Sequence, residues 1–139
     1  MITNLEKYFL PEHTFYLNEI NYKIIDGNSN ESELNCTDNL SVEVNDSEGV
    51  RVVFTRTLKF VPESIFELSV SFGALLKFDE SQRGNINWHE INMAEEIRDN
   101  GMFVLHNLIA RSSLLIAEIT ASFGQSPIVL PPIIAGETK

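Results

Sequence analysis

The stretches VRVVFTRTLKFV (50–61), PES (62–64) and IFELSVSFGALLKF (65–78) decide the fold. In the first run Val50, Val52, Phe54, Leu58 and Phe60 share one face, interrupted by Arg56, while Arg51, Thr55, Thr57 and Lys59 take the other. In the second run Phe66, Leu68, Val70, Phe72, Ala74, Leu76 and Phe78 alternate with Glu67, Ser69, Ser71, Gly73 and Lys77. A period of two over this length puts one face on a core and the other in water. The proline-bearing link is short enough for a tight reversal, so the two runs form a hairpin.

Working backwards, Asn45-Asp46-Ser47-Glu48-Gly49 has turn chemistry, and Leu40, Val42 and Val44 alternate before it as a further strand. Residues 27–39 (GNSNESELNCTDN) are polar and read as a loop. Near the start, Phe15 and Leu17 sit in one phase and Ile20, Tyr22 and Ile24 in the other. Such a slip predicts a β-bulge near Asn18-Glu19, with the two groups expected on opposite faces. The strands lie within about 13–78 and form a four-stranded antiparallel meander.

Forward of the hairpin, Trp88, Ile91, Met93, Ala94 and Ile97 predict a short helix over about 88–98, with Trp88 as its anchor. Asp99-Asn100-Gly101 ends it and can cap a long helix over 102–123. In that helix Asn107, Arg111, Glu118 and Ser122 form one narrow polar stripe, with Leu105, Leu108, Ile109, Leu115, Ile116 and Ile119 opposite. Phe103, Val104 and Leu114 flank or interrupt the stripe. One sheet covers only one side of a helix, so Phe103, Arg111, Leu114 and Glu118 are candidate oligomer contacts; Arg111 alternatively just reaches water. After Gly124, Pro127, Pro131 and Pro132 forbid a helix, leaving an extended apolar tail over 126–134. The fold class is α+β: a four-stranded antiparallel sheet, a short helix, and a long helix packed on the sheet.

At 139 residues the chain is one domain, 1–139, and 43% hydrophobic residues supply an ordinary core. Ten basic against twenty acidic residues give a net charge of −10, which disfavours nucleic acid and anionic membrane surfaces as partners. A single cysteine closes no intramolecular disulfide and suits a reducing cytoplasm. Glu6, Lys7 and Glu12 argue against a secretory leader, and His106, Asn107, Arg111 and Glu118 argue against a membrane span at 102–123. His13, His89, His106 and Cys36 lie in separate elements, so no metal site, cofactor or catalytic role is expected of them. No phosphate-binding glycine loop is present, and the pairs Asp79-Glu80 and Glu95-Glu96 read as solvated surface. An enzyme is not expected.

The order of these parts, with Ile109-Ala110-Arg111, Gly124, the Ile128-Val129-Leu130-Pro131 run and the strand Phe66–Leu76 carrying Gly73, resembles the SecB protein-export chaperones and the wider SecB-like group. The resemblance spans about 13–134. It implies an ATP-independent holdase that binds unfolded or precursor polypeptides along apolar grooves, as a homodimer or a homotetramer with long helices sandwiched between sheets. It also implies docking to the translocase motor ATPase through acidic residues; Asp26 and Glu67 stand at matching positions, whereas Ser69 departs from the pattern. SecB continues into another C-terminal helix, so a shorter or differently walled groove is expected here. The apolar residues that fit a client are Phe15 and Leu17 on the first strand and Ile128, Leu130, Ile133 and Ile134 in the tail. Alternatives are a tail that covers its own sheet, and a non-catalytic adaptor or toxin–antitoxin-associated chaperone with one dedicated partner.

Overall fold

A computed structural model describes residues 2–25, 31–84, 86–124 and 126–134. After a single 3-10 turn at Leu5–Tyr8 come β1 (Thr14–Ile25), β2 (Glu33–Asn45), β3 (Gly49–Val61) and β4 (Ile65–Lys77), then α1 (Met93–Asn100) and α2 (Met102–Ala121). All pairings are antiparallel, and the strand order is β1-β4-β3-β2. Strands β2–β3–β4 are therefore the meander, while β1 lies along the far side of β4. Alternation along a strand says which face is buried and nothing about its neighbour, so this adjacency had no signature in the sequence.

The long hairpin is as expected, with Val50 opposite Leu76 and Leu58 opposite Leu68. The 45–49 turn is tied by the Asn45 side chain, which accepts from the Ser47 amide at 3.0 Å and hydroxyl at 2.8 Å. The 27–39 loop is corrected: Glu33–Asn39 belong to β2 and pair with β3 from Val61 to Thr55. Cys36 and Asp38 continue the inward phase of Leu40, Val42 and Val44, and Asp38 is buried. A carboxylate in that phase hides the alternation, because the core partner that makes it tolerable lies on another strand.

The bulge falls where expected, with the register shifting between Leu17 and Glu19. Its consequence is the reverse of the expectation. Phe15 and Leu17 pair with Ala74 and Phe72, and Ile20, Tyr22 and Ile24 with Val70, Leu68 and Phe66. All five partners share the inner face of β4, so the extra residue restores parity and brings the five apolar residues of β1 to one face. The bulge is held from the outer face: Asn18 Nδ2 donates to Ser71 Oγ at 3.1 Å, as does Thr55 Oγ1.

The short helix is also shifted. Trp88 occupies a separate 3-10 turn, Trp88–Glu90, and α1 begins at Met93 behind Asn92, whose side chain accepts from the Glu95 amide at 3.2 Å. Trp88 is fully buried against Tyr8, Phe9 and Phe78, as befits an anchor. Gly101 separates the helices, and no side chain caps α2. A Cβ at Gly101 would stand 2.4 Å from the Ile97 carbonyl oxygen, so only glycine permits so tight a joint.

By length and composition α2 is apolar enough to cross a membrane, yet it lies against β4 and β3 while α1 covers β2. Two apolar clusters fill the interface. One joins Leu5, Phe9, Trp88 and Ile97 to Val52 and Phe54; the other joins Leu58, Phe66, Leu68 and Val70 to Ile116. Arg56 lies between them on the inner face of β3.

On the outer face the Tyr16 ring lies across Gly73, where an added Cβ would stand 2.2 Å from Cζ. Gly73→Ala must push the ring away and loosen β1. We expect a loss of about 1 kcal/mol in urea unfolding, with hydrogen exchange accelerated at β1 amides and not at β2 amides.

Candidate client-binding surface

Two flanks of α2 border two different channels. Arg111 and Ser113, two residues apart on a helix, project about 200° apart. The Arg111 guanidinium lies over the Phe15 ring at 5.0 Å, and beyond the helix end Phe123 meets the Tyr22 ring at 5.2 Å. Hence α2 runs alongside β1. Between these contacts Leu17 and Ile20 remain exposed on the inner face, as does Tyr22, and Ile24 is 73% exposed. The result is an apolar trough, with Arg111 and Glu118 on the helix flank above it. Because β1 is an edge strand, the backbone groups on its free side pair with no strand among the described residues.

The opposite flank of α2 is closed by the tail. Ile128 N donates to Thr120 Oγ1 at 2.8 Å, and Ile128 and Leu130 pack on the Leu58–Ile116 cluster beside Cys36 and Phe60. Ile134 packs on the other cluster, whereas Val129 and Ile133 are 78% and 64% exposed. Of the sequence-derived client residues, Phe15 and Leu17 thus belong to the β1 trough, and Ile128, Leu130, Ile133 and Ile134 to the other flank. They do not form one continuous surface.

The tail is held by a side chain the sequence marked only as an interruption. Arg56 is fully buried, and its five N–H groups all have acceptors. Nε and Nη2 donate to Asp38 Oδ1 and Oδ2, each at 2.8 Å. Nη1 donates to Ser113 Oγ at 2.8 Å and to the Pro131 carbonyl at 3.1 Å, and Nη2 to the Ile133 carbonyl at 2.6 Å. Burial works against the Arg56 charge, but the hydrogen bond and charge of Asp38 outweigh it and raise its pKa. Burial, followed by the Asp38 charge, also pushes the Cys36 thiol up; Arg56 opposes this only in part.

The remaining candidates scatter. Phe103 packs inside its own chain against Phe9 and His13, and Val104 is buried, so of the residues crowding the polar stripe only Leu114 stays open, at 63% exposure. It lies on an exposed ridge with Ala110 and Ala121. Arg111 reaches the surface, donating from Nε to Asn107 Oδ1, and Glu118 is exposed. Glu67 stands on the outer face between Lys23 and Lys59 in register, a pairing that dilutes its negative charge; Asp26 lies outside the described residues. His89 Nε2 lies 2.8 Å from Asp46, His13 stands among aromatic rings, and His106 is on α2. Among the described residues no three His, Cys, Asp or Glu side chains are grouped to hold a metal.

Two outcomes test the buried cluster. Asp38→Ala leaves the Arg56 charge uncompensated in the interior, and we expect a loss of about 3–5 kcal/mol in denaturant unfolding. Cys36 holds its proton to higher pH than an unfolded cysteine, so its alkylation should be slower in the native chain than in urea. With more protons bound in the native state, stability must fall as pH rises past the ordinary cysteine range. Replacing Cys36 with Ala removes that part of the slope.

No protein-family model matches the chain, and no curated protein sequence matches it. Solved structures do. The Mycobacterium tuberculosis SecB-like chaperone Rv1957, in complex with a ChAD peptide from the Rv1956 HigA1 antitoxin, superposes with a TM-score of 0.66 at 12% identity, covering 86% of this chain and 84% of that one. A Streptococcus agalactiae protein of unknown function gives a TM-score of 0.46 at 14% identity, covering 86% and 97%. The sheet, the short helix and the long helix of this chain are a SecB-like fold.

Proposed function

We propose that the protein is an ATP-independent holdase that captures extended, apolar segments of non-native polypeptides in the trough between β1 and α2. The observation that carries this reading is the row Leu17, Ile20, Tyr22 and Ile24, left open on the inner face of an edge strand. An extended client can add to the free edge of β1 while its alternate side chains enter the trough. Such capture uses binding alone, so the reading includes no enzymatic step, cofactor, nucleic acid or membrane insertion. It places the protein in the cytoplasm, with unfolded or precursor chains as clients and, in its export form, handover to the translocase motor.

A second reading, one dedicated partner, draws support from the mycobacterial neighbour, which holds an antitoxin peptide. Breadth separates the two. A general holdase suppresses aggregation of several unrelated unfolded proteins at stoichiometric amounts; a dedicated chaperone suppresses that of one. Because Leu17 and Tyr22 are already exposed, Leu17→Ser with Tyr22→Ser should leave the fold intact. Removing apolar contacts worth about 1.5 kcal/mol or more each should weaken client binding at least about tenfold. Unchanged binding in the folded variant would place the client elsewhere.

Self-association belongs to the same reading. The α2 ridge of Ala110, Leu114 and Ala121 offers small residues around one large apolar one, a surface suited to close helix packing. We expect light scattering to give a dimer or tetramer of the 15.7 kDa chain, and Leu114→Glu to shift it towards monomer. A clean monomer at micromolar concentration would refute this.

A further inference from the structure

We propose that the channel between α2 and β2 is a second peptide-binding site, that residues 127–134 occupy it as a displaceable strap, and that Arg56 reads the backbone carbonyls of whatever chain lies there. The proposal rests on the holdase reading and adds a regulated site to it.

Three of the five Arg56 donors are committed within the body of the domain, to both Asp38 oxygens and to Ser113 Oγ. These contacts keep the guanidinium paired and oriented whether or not the tail is present. The other two donors reach the tail, and they choose the carbonyls of Pro131 and Ile133. The tail bends at residues 132 and 133, and the bend brings both carbonyls to the one guanidinium. Two forked donors that each take a backbone carbonyl make no demand of their own on side-chain identity. The apolar component is supplied by the cluster that includes Leu58 and Ile116, on which Ile128 and Leu130 pack.

The occupant is bound as a ligand is bound. It pairs with no strand, none of its side chains is fully buried, and Val129 and Ile133 face solvent. Proline at 127, 131 and 132 removes three backbone donors, so the tail presents mainly carbonyls. It departs at the cost of the Ile128–Thr120 hydrogen bond, the two Arg56 bonds and the apolar contacts of Ile128, Leu130 and Ile134, without dismantling the Arg56–Asp38 pair.

The probe is a synthetic peptide with the sequence of residues 126–134, SPIVLPPII, titrated into the full chain while hydrogen exchange is followed at Ile128, Val129 and Leu130. Saturable binding should accelerate exchange at these amides by at least about tenfold, the factor that corresponds to losing 1.4 kcal/mol of local closure. No binding, or binding with tail protection unchanged, overturns the proposal. A second arm locks the strap with Thr120→Cys and Ile128→Cys in a Cys36→Ala background. The oxidised form should bind the peptide at least about tenfold more weakly than the reduced form of the same variant; equal binding by both, once the disulfide is verified, overturns the strap. Aggregation suppression by the reduced form is scored separately. If it fails while peptide binding persists, the holdase reading falls and the channel stands.

Discussion

A guanidinium with no solvent exposure sits between two apolar clusters, and the arrangement of the domain follows from what that charge requires. An isolated ion in such a place costs many kcal/mol, so it persists only if paired, with its remaining donors bonded to protein or to water. Asp38 supplies the pair, Ser113 and two tail carbonyls supply the rest, and these acceptors come from β2, α2 and the C-terminal tail. One side chain on β3 thereby fixes the lateral positions of three neighbours. It also fixes register, since Asp38 stands directly opposite Arg56 in the β2–β3 ladder. A slip of one residue would turn the carboxylate outward and strand the charge.

That dependence explains what could and could not be read from the chain. The β3–β4 hairpin, α2 and the bulge near Asn18 were legible because each is written in local periodicity. The first half of β2 was not, because GNSNESELNCTDN carries its inward signal in Cys36 and Asp38, residues that look like loop until Arg56 is known to need them. Arg56 itself broke an otherwise apolar face, and an interruption of that kind is as informative as the residues around it. The bulge was located correctly but its parity was misjudged: one extra residue cancels a one-residue slip, so opposite sequence phases became one spatial face. The place of β1 beside β4, and the packing of Leu5 and Phe9 into the core, depend on contacts across most of the chain and left no local trace.

The candidate site was legible in chemistry and illegible in geometry. Apolar residues on the first strand and in the proline-bounded tail were singled out, yet α2 stands between them. The helix supplies both flanks with one residue period: Arg111 turns to Phe15 on β1, and Ser113 turns to Arg56 beneath the tail. A helix with a narrow polar stripe suits this position, for it must meet a sheet below, a trough on one side and a strap on the other. On α2 Met102 and the ridge around Leu114 remain exposed, so the surplus apolar surface of the helix is smaller than the sequence alone implied.

On the proposed reading, the two channels solve a common recognition problem by different means. A site that accepts many chains must address what all chains share, namely backbone groups and intermittent apolar side chains. Along β1 the addressing groups are the N–H and C=O of an edge strand, which offer donors and acceptors alternately and match an unbroken extended segment. In the α2–β2 channel they are two guanidinium donors, which ask only for carbonyls and so admit a segment interrupted by proline. An edge strand cannot accept such a segment in full, because each proline removes a donor from the ladder. The Pro131-Pro132 pair in the tail therefore matches the channel in which it lies and mismatches the edge of β1. An apolar core at position 56 could stabilise the sheet as well as the buried pair does, but it would offer no donors to a neighbouring chain.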